Sequence, residues 1–284
     1  MLDGMPLVDA HVHVPRLGTL KRAWLDWARD FGADGVLADV WDADGTPRPA
    51  RLAELFAEQG VDVALLFCEY SPKATGTQAF EDLLPIVEHD PTRFRPVASV
   101  NPHLHFPIAA EVRRQIGLGA AALKLHPVHG GFRCDSAALY PAYQVLEEAG
   151  VPLVVHCGTS SFPGSSNEHA DPAFLIPVVR DFPGLDVVLA HGGRGWWYDA
   201  AAFLALSNDT VWIELSGLPP KRLPEYYRNF DLARLAGRWI FGTDWPGVPG
   251  TARNARAVAA LVPDAAADVL GGNARRVYRG LPPL

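Results

Sequence analysis

At 284 residues, 49% hydrophobic and 20% charged, the chain has the balance of an ordinary folded protein, which excludes disorder. A formal net charge of −7 with scattered Lys and Arg excludes a nucleic-acid partner, and no apolar run approaches the roughly 20 residues needed to cross a membrane. The start, MLDGMPLVDAHVHV, lacks the pattern of a secretory signal, and Cys68, Cys134 and Cys157 are too few and scattered for a disulfide framework, so a reduced, cytoplasmic protein is expected.

Short apolar runs alternate with longer amphipathic ones. The expected strands are Leu7–Val14, Val61–Phe67, Pro96–Val100, Ala120–Leu125, Val151–His156, Leu185–His191, Val211–Leu215 and Trp239–Thr243. Most are rich in Val, Ile and Leu without strict alternation, as in strands buried on both faces of a parallel sheet. The expected helices are Arg51–Gln59, Thr77–His89, Ala109–Ile116, Ser136–Ala149, Asp171–Phe182, Asp199–Ser207, Arg222–Leu235 and Thr251–Leu261. Several stop at a Gly or Pro. Eight strand–helix units fit an α/β fold, either a closed (β/α)₈ TIM barrel or a doubly wound sheet, within one domain spanning residues 1–284. Residues Pro15–Ala50, with a helical stretch Leu20–Phe31 and an apolar run Val36–Val40, interrupt the rhythm between strands 1 and 2. They read either as an elaborated loop over the barrel mouth or as a surface excursion. Asp268–Tyr278 reads as a closing helix broken at Gly271-Gly272.

Polar residues decide between the two folds. By alternation, Leu7, Asp9, His11 and His13 share one face of strand 1, opposite Val8, Ala10, Val12 and Val14. Two imidazoles projected side by side from a strand are a common way to hold a divalent metal, although two hydrogen-bonded core histidines would look the same. Further ligand-type residues close other strands: His156, His191 and Asp244, with Lys124 and His126 on strand 4 and Glu214 and Ser216 on strand 7. In a (β/α)₈ barrel those strand ends surround one mouth, where the active site lies. The barrel and a metal site are therefore expected together.

In order along the chain stand Asp9-Ala10-His11-Val12-His13, Lys124-Leu125-His126-Pro127, His156-Cys157-Gly158, Ala190-His191-Gly192-Gly193, Gly242-Thr243-Asp244-Trp245-Pro246 and Gly271-Gly272-Asn273-Ala274-Arg275-Arg276. Together they resemble the amidohydrolase superfamily, in the branch with aminocarboxymuconate-semialdehyde decarboxylase, the resorcylate decarboxylases and several lactone hydrolases. The resemblance implies one divalent metal, zinc first and manganese second, held by His11, His13, His156 and Asp244. It implies His191 beside the metal as a polarising or proton-transferring group, with Asp244 as the catalytic carboxylate, and it suggests a homodimer. Lys124 is expected to contact a substrate carboxylate. It could instead be carboxylated and bridge two metals, as in other members of the superfamily, or pair with Glu214 or Asp244. Arg194 is expected to grip a carboxylate and Trp196 to wall the substrate, while the long loop Gly158–Ala170 could move over a ligand.

The expected activity is metal-dependent hydrolysis of a small carboxylated molecule at a lactone, ester or amide bond. The alternative is non-oxidative decarboxylation at the same site.

Overall fold

The computed structural model describes residues 1–30, 34–248, 250–278 and 280–281. Eight strands run in parallel and in chain order: β1 (Val8–His13), β2 (Val63–Phe67), β3 (Phe94–Ser99), β4 (Leu123–Leu125), β5 (Leu153–Gly158), β6 (Val187–Arg194), β7 (Val211–Glu214) and β8 (Trp239–Ile240). Beyond β8 the backbone returns to β1 and seals the cylinder. Ala10 N–H donates to Phe241 O at 3.1 Å, Asp244 N–H to His11 O at 3.0 Å, and His13 N–H to Trp245 O at 2.8 Å. The sheet thus has no open edge, and the (β/α)₈ barrel, rather than the doubly wound sheet, is the fold.

Buried aliphatic and aromatic residues fill the interior, among them Val8, Ala10, Val63, Leu65, Phe67 and Ile240. A second buried layer, with Leu7, Val12, Leu66 and Leu123, lies between strands and helices. This division corrects the expected faces of β1. Val8 and Ala10 point inward, and so do His11 and His13, whose rings pack 4.3 and 5.7 Å from the Phe67 ring. The parity slips because the β1–β2 register shifts between Asp9 and Val12, an irregularity that re-aims every later side chain.

Other boundaries also move. The expected helix Thr77–His89 begins as the strand Gly76–Gln78, paired antiparallel with Glu69–Ser71, and only Leu84–His89 is α-helical. Arg222–Leu235 is two short helices, Leu223–Tyr226 and Leu232–Ala236. The insert after β1 carries helices Arg22–Asp30 and Asp34–Val40; Phe31, the expected end of the first, lies outside the described residues. Trp24 and Trp27, three positions apart, share a helix face. Lys21 N–H donates to Thr75 O at 2.8 Å, tying the insert to the hairpin, and Trp41 stacks on Trp245 at 5.5 Å. The closing segment is a π turn, Asp268–Gly272, followed by helix Asn273–Val277, whose Ala274 and Val277 pack on the interior cluster. A Cβ on Gly271 would lie 2.9 Å from Pro6 O, so only glycine lets this turn approach the start of β1. Among the described residues no helix is long and apolar enough to cross a membrane.

Candidate active site

His11 and His13 end β1, and Asp244 follows β8 across the seam. His11 Nε2 lies 3.2 Å from His13 Nε2 and 3.5 Å from Asp244 Oδ1, and His13 Nε2 lies 3.4 Å from the same oxygen. The tautomer of His11 is fixed from behind. Its Nδ1 donates to Glu214 Oε2 at 2.6 Å, so Nε2 presents a lone pair. Glu214 also accepts from Ser216 N–H at 2.6 Å and from Ser216 Oγ at 2.8 Å. Three buried ligand-type atoms aimed at one point repel unless a proton or a cation sits between them. A cation bound at about 2.0–2.2 Å in tetrahedral fashion spaces its donors by about 3.4 Å, so the set fits a divalent metal. Burial alone would raise the Asp244 carboxyl, yet its bond to His13 and the charges of His11, His13 and Arg194 hold it well below the ordinary carboxylate range.

Asp244 adopts φ 71° and His191 φ 66°, the left-handed region that costs a non-glycine residue about 1–3 kcal/mol. Two strained residues facing each other at 4.0 Å, His191 Nδ1 to Asp244 Oδ2, mark where the fold gives up stability to aim side chains. Asp9 supports Asp244 indirectly, accepting from Thr243 N–H at 2.9 Å and Thr243 Oγ1 at 2.7 Å. Burial pushes the Asp9 carboxyl up to about 7 against those bonds.

The structure distributes the remaining candidates unevenly. His191 Nδ1 donates to Ser216 O at 3.0 Å, which leaves Nε2 as an acceptor, and burial holds the ring's pKa well below the usual range. His156 stands outside the three-residue donor set; its Nε2 donates to Gly158 O at 3.2 Å, and its ring lies 4.5 Å from that of His191. Arg194 lines the cavity, hydrogen bonds Thr159 O, and brings Nη1 to 3.9 Å from Asp244 Oδ2. Lys124 is fully buried, is not a lining residue, and its Nζ has no hydrogen-bond partner among the described residues. Burial pushes Lys124 down to about 8, against the attraction of Glu214 and Asp244. Trp196 lies away from this cavity, 74% exposed beside Tyr226, because Gly195 at φ 93° turns the chain outward just after Arg194.

The cavity itself has a volume of about 40 Å³. Its apolar wall is Trp24, Trp27 and Phe162 in place of Trp196, so the insert does cover the mouth. Sequence reasoning also missed Glu69 and His129, which line it. Glu69 stands just past the end of β2, and the strand-end rule applied to His11 and His156 would have found it.

A profile of the family described as Amidohydrolase matches residues 8–280. The chain belongs to that family. A curated dihydroorotase from Vibrio vulnificus (strain YJ016) is similar to this amidohydrolase, 32% identical over 119 residues, which is 36% of the chain and 32% of that relative. The chain thus spans about a third of the length of the curated relatives it matches. Among solved structures, an uncharacterized TIM-barrel protein from Bordetella bronchiseptica superposes with TM-score 0.76 at 21% identity, over 96% of this chain and 98% of that one. A 5-carboxyvanillate decarboxylase from Novosphingobium aromaticivorans, solved with manganese and a nitrobenzoic acid, gives 0.66 at 18% over 97% and 96%. A probable 2-pyrone-4,6-dicarboxylic acid hydrolase from Acinetobacter baumannii, solved with citric acid, gives 0.64 at 16% over 96% and 99%. At these identities the likeness establishes the barrel. This amidohydrolase carries within it a His-His-Asp set able to hold a divalent metal.

Proposed function

We propose that this amidohydrolase hydrolyses a lactone, ester or amide bond in a small carboxylated molecule, within a single domain of residues 1–284. The observation that carries the reading is the convergence of His11 Nε2, His13 Nε2 and Asp244 Oδ1 within 3.2–3.5 Å at the barrel mouth. A divalent cation held there supplies Lewis acidity to water and to a carbonyl oxygen. Zinc is the first choice for two imidazoles and a carboxylate, with manganese second. His156 joins as a further ligand if its ring turns from Gly158 O.

The chain's own groups then have distinct tasks. Asp244 Oδ1 faces the imidazoles, while Oδ2 faces His191 and Arg194 and is free to take a proton from attacking water and return it to the leaving group. His191 Nε2 is a second proton acceptor. The Arg194 guanidinium, 28% exposed in its side chain, holds the substrate carboxylate. Lys124, buried behind the site, acts on substrate through its charge. The homodimer rests on the resemblance alone, and the cytoplasmic location on the few, scattered cysteines.

The test is metal identity and stoichiometry on protein purified without chelators, followed by lactone and carboxylic-acid panels. Acid release from a lactone with about one metal per chain is expected. Release of carbon dioxide from a hydroxybenzoate would replace this reading with the decarboxylase. Asp244→Asn should lower turnover by about 10²–10⁴-fold while retaining some metal; full activity in that variant removes its role.

A further inference from the structure

Across the cavity from the donor set lies a second chain of groups that the hydrolysis above does not use. Glu69 follows β2, His129 belongs to the short helix Pro127–Gly130 after β4, and Ser160 begins the loop after β5. His129 Nδ1 donates to Glu69 Oε1 at 2.8 Å, and His129 Nε2 lies 3.0 Å from Ser160 Oγ. Thr75 Oγ1 donates to the same Glu69 oxygen at 2.6 Å. All three members are nearly buried, at 4%, 5% and 9% exposure for Glu69, His129 and Ser160.

The directions of these bonds follow from the carboxylate. Glu69 Oε1 takes both the Thr75 hydroxyl and His129 Nδ1, the pattern of an accepting carboxylate. In the neutral imidazole the ring proton then sits on Nδ1, and Nε2 is a lone pair facing a hydroxyl. Ser160 therefore donates to His129, and its oxygen is left to accept from Ser165 Oγ at 3.2 Å and from Phe162 N–H at 3.4 Å. Both donors stabilise the negative charge that grows on Oγ as its proton leaves. A hydroxyl on a base whose far nitrogen is held by a buried carboxylate is the arrangement of an activated nucleophile, recognised by geometry rather than by sequence order.

We propose that Ser160, His129 and Glu69 form a second reactive centre, in which Ser160 is acylated by small activated carboxylic esters. The Ser160 proton passes to His129 Nε2 as Oγ bonds the acyl carbon. The bond from that carbon to the leaving oxygen breaks, and the departing oxygen takes the proton from His129. Water releases the acid by the same route, returning the proton to Ser160. His129, Glu69 and Phe162 line the cavity, while Ser160 lies just behind that lining at 9% exposure, so an ester reaches its oxygen from the side of His129 and Phe162.

The test uses the purified full-length protein with p-nitrophenyl acetate and, separately, a fluorophosphonate, followed by peptide mass analysis. One acetyl or phosphonyl group on Ser160 is expected. Ser160→Ala should abolish it, and His129→Gln should slow labelling by about 10²-fold or more. Asp244→Asn, which disables the metal reading, should label at the wild-type rate, so the two readings fail separately. Thermal melting of each variant separates lost chemistry from lost fold. If Ser160→Ala does not fold, adduct location in the wild type and in His129→Gln decides. An unlabelled Ser160, or labelling indifferent to His129→Gln, reduces the three groups to a hydrogen-bonded clasp on the loop and overturns the proposal.

Discussion

Gly217 is a residue where backbone and site compete for the same space. Its φ is 65°, and a Cβ there would lie 2.6 Å from Arg194 Nη1 and 3.1 Å from Asp244 Oδ2. Gly217→Ala should therefore push the guanidinium off the carboxylate. A lost charge-assisted hydrogen bond costs about 1.5–3 kcal/mol, so KM for a carboxylated substrate should rise roughly tenfold or more, and kcat should fall as well because the methyl also crowds Asp244 Oδ2. Steady-state kinetics with unchanged KM would remove Arg194 from substrate binding. Glu214 has a complementary task, because it sets the tautomer of His11 without touching the cavity. Weakening such a partner typically costs 10–100-fold in metal affinity. Glu214→Gln should raise the metal dissociation constant by about that factor in a chelator-competition titration, and wild-type affinity would show that His11 needs no such support.

At the scale of elements, the decisive contacts tie β1 to the segment after β8. Asp9, buried in β1, holds Thr243 by two bonds, and Thr243 Oγ1 in turn accepts from Trp245 N–H at 3.0 Å. Thr243→Val leaves the Asp9 carboxyl short of a donor in a dry site, which should destabilise the fold by about 1–3 kcal/mol. The denaturant midpoint reads this directly, and an unmoved midpoint would mean that the seam does not depend on the hydroxyl. The barrel strands were legible because runs buried on both faces are uniformly apolar. The slip in β1 was not, because alternation cannot register a bulge. The Glu69–Ser71 and Gly76–Gln78 hairpin was hidden for a related reason: the Ala, Glu and Leu of Thr77–His89 suggest a helix, and only the pairing of Tyr70 with Thr77 and of Glu69 with Gln78 makes its start a strand. At the site, the strand-end rule picked out His11, His13 and Asp244, which the fold brings together. The alliance of Glu69 with His129 joins residues 60 positions apart, which no local pattern reports.

For the whole molecule, a cation bound only by the folded barrel is part of its stability. At about 100 times the dissociation constant, free metal adds roughly 2.7 kcal/mol. For a chain of this size that corresponds to a rise in melting temperature on the order of 5 °C, visible by calorimetry before and after chelation. Asp244→Asn should show a smaller rise, and a melting curve blind to added zinc and manganese would refute a metal held by the native fold. The donor set sits on the two banks of the joint that completes the cylinder, with the Asp244 amide bonded to His11 O. Separation of these banks would part the very atoms proposed to grip an ion, so loosening here would also be a release route. Conversely, an ion bound there would rivet β1 to the segment after β8.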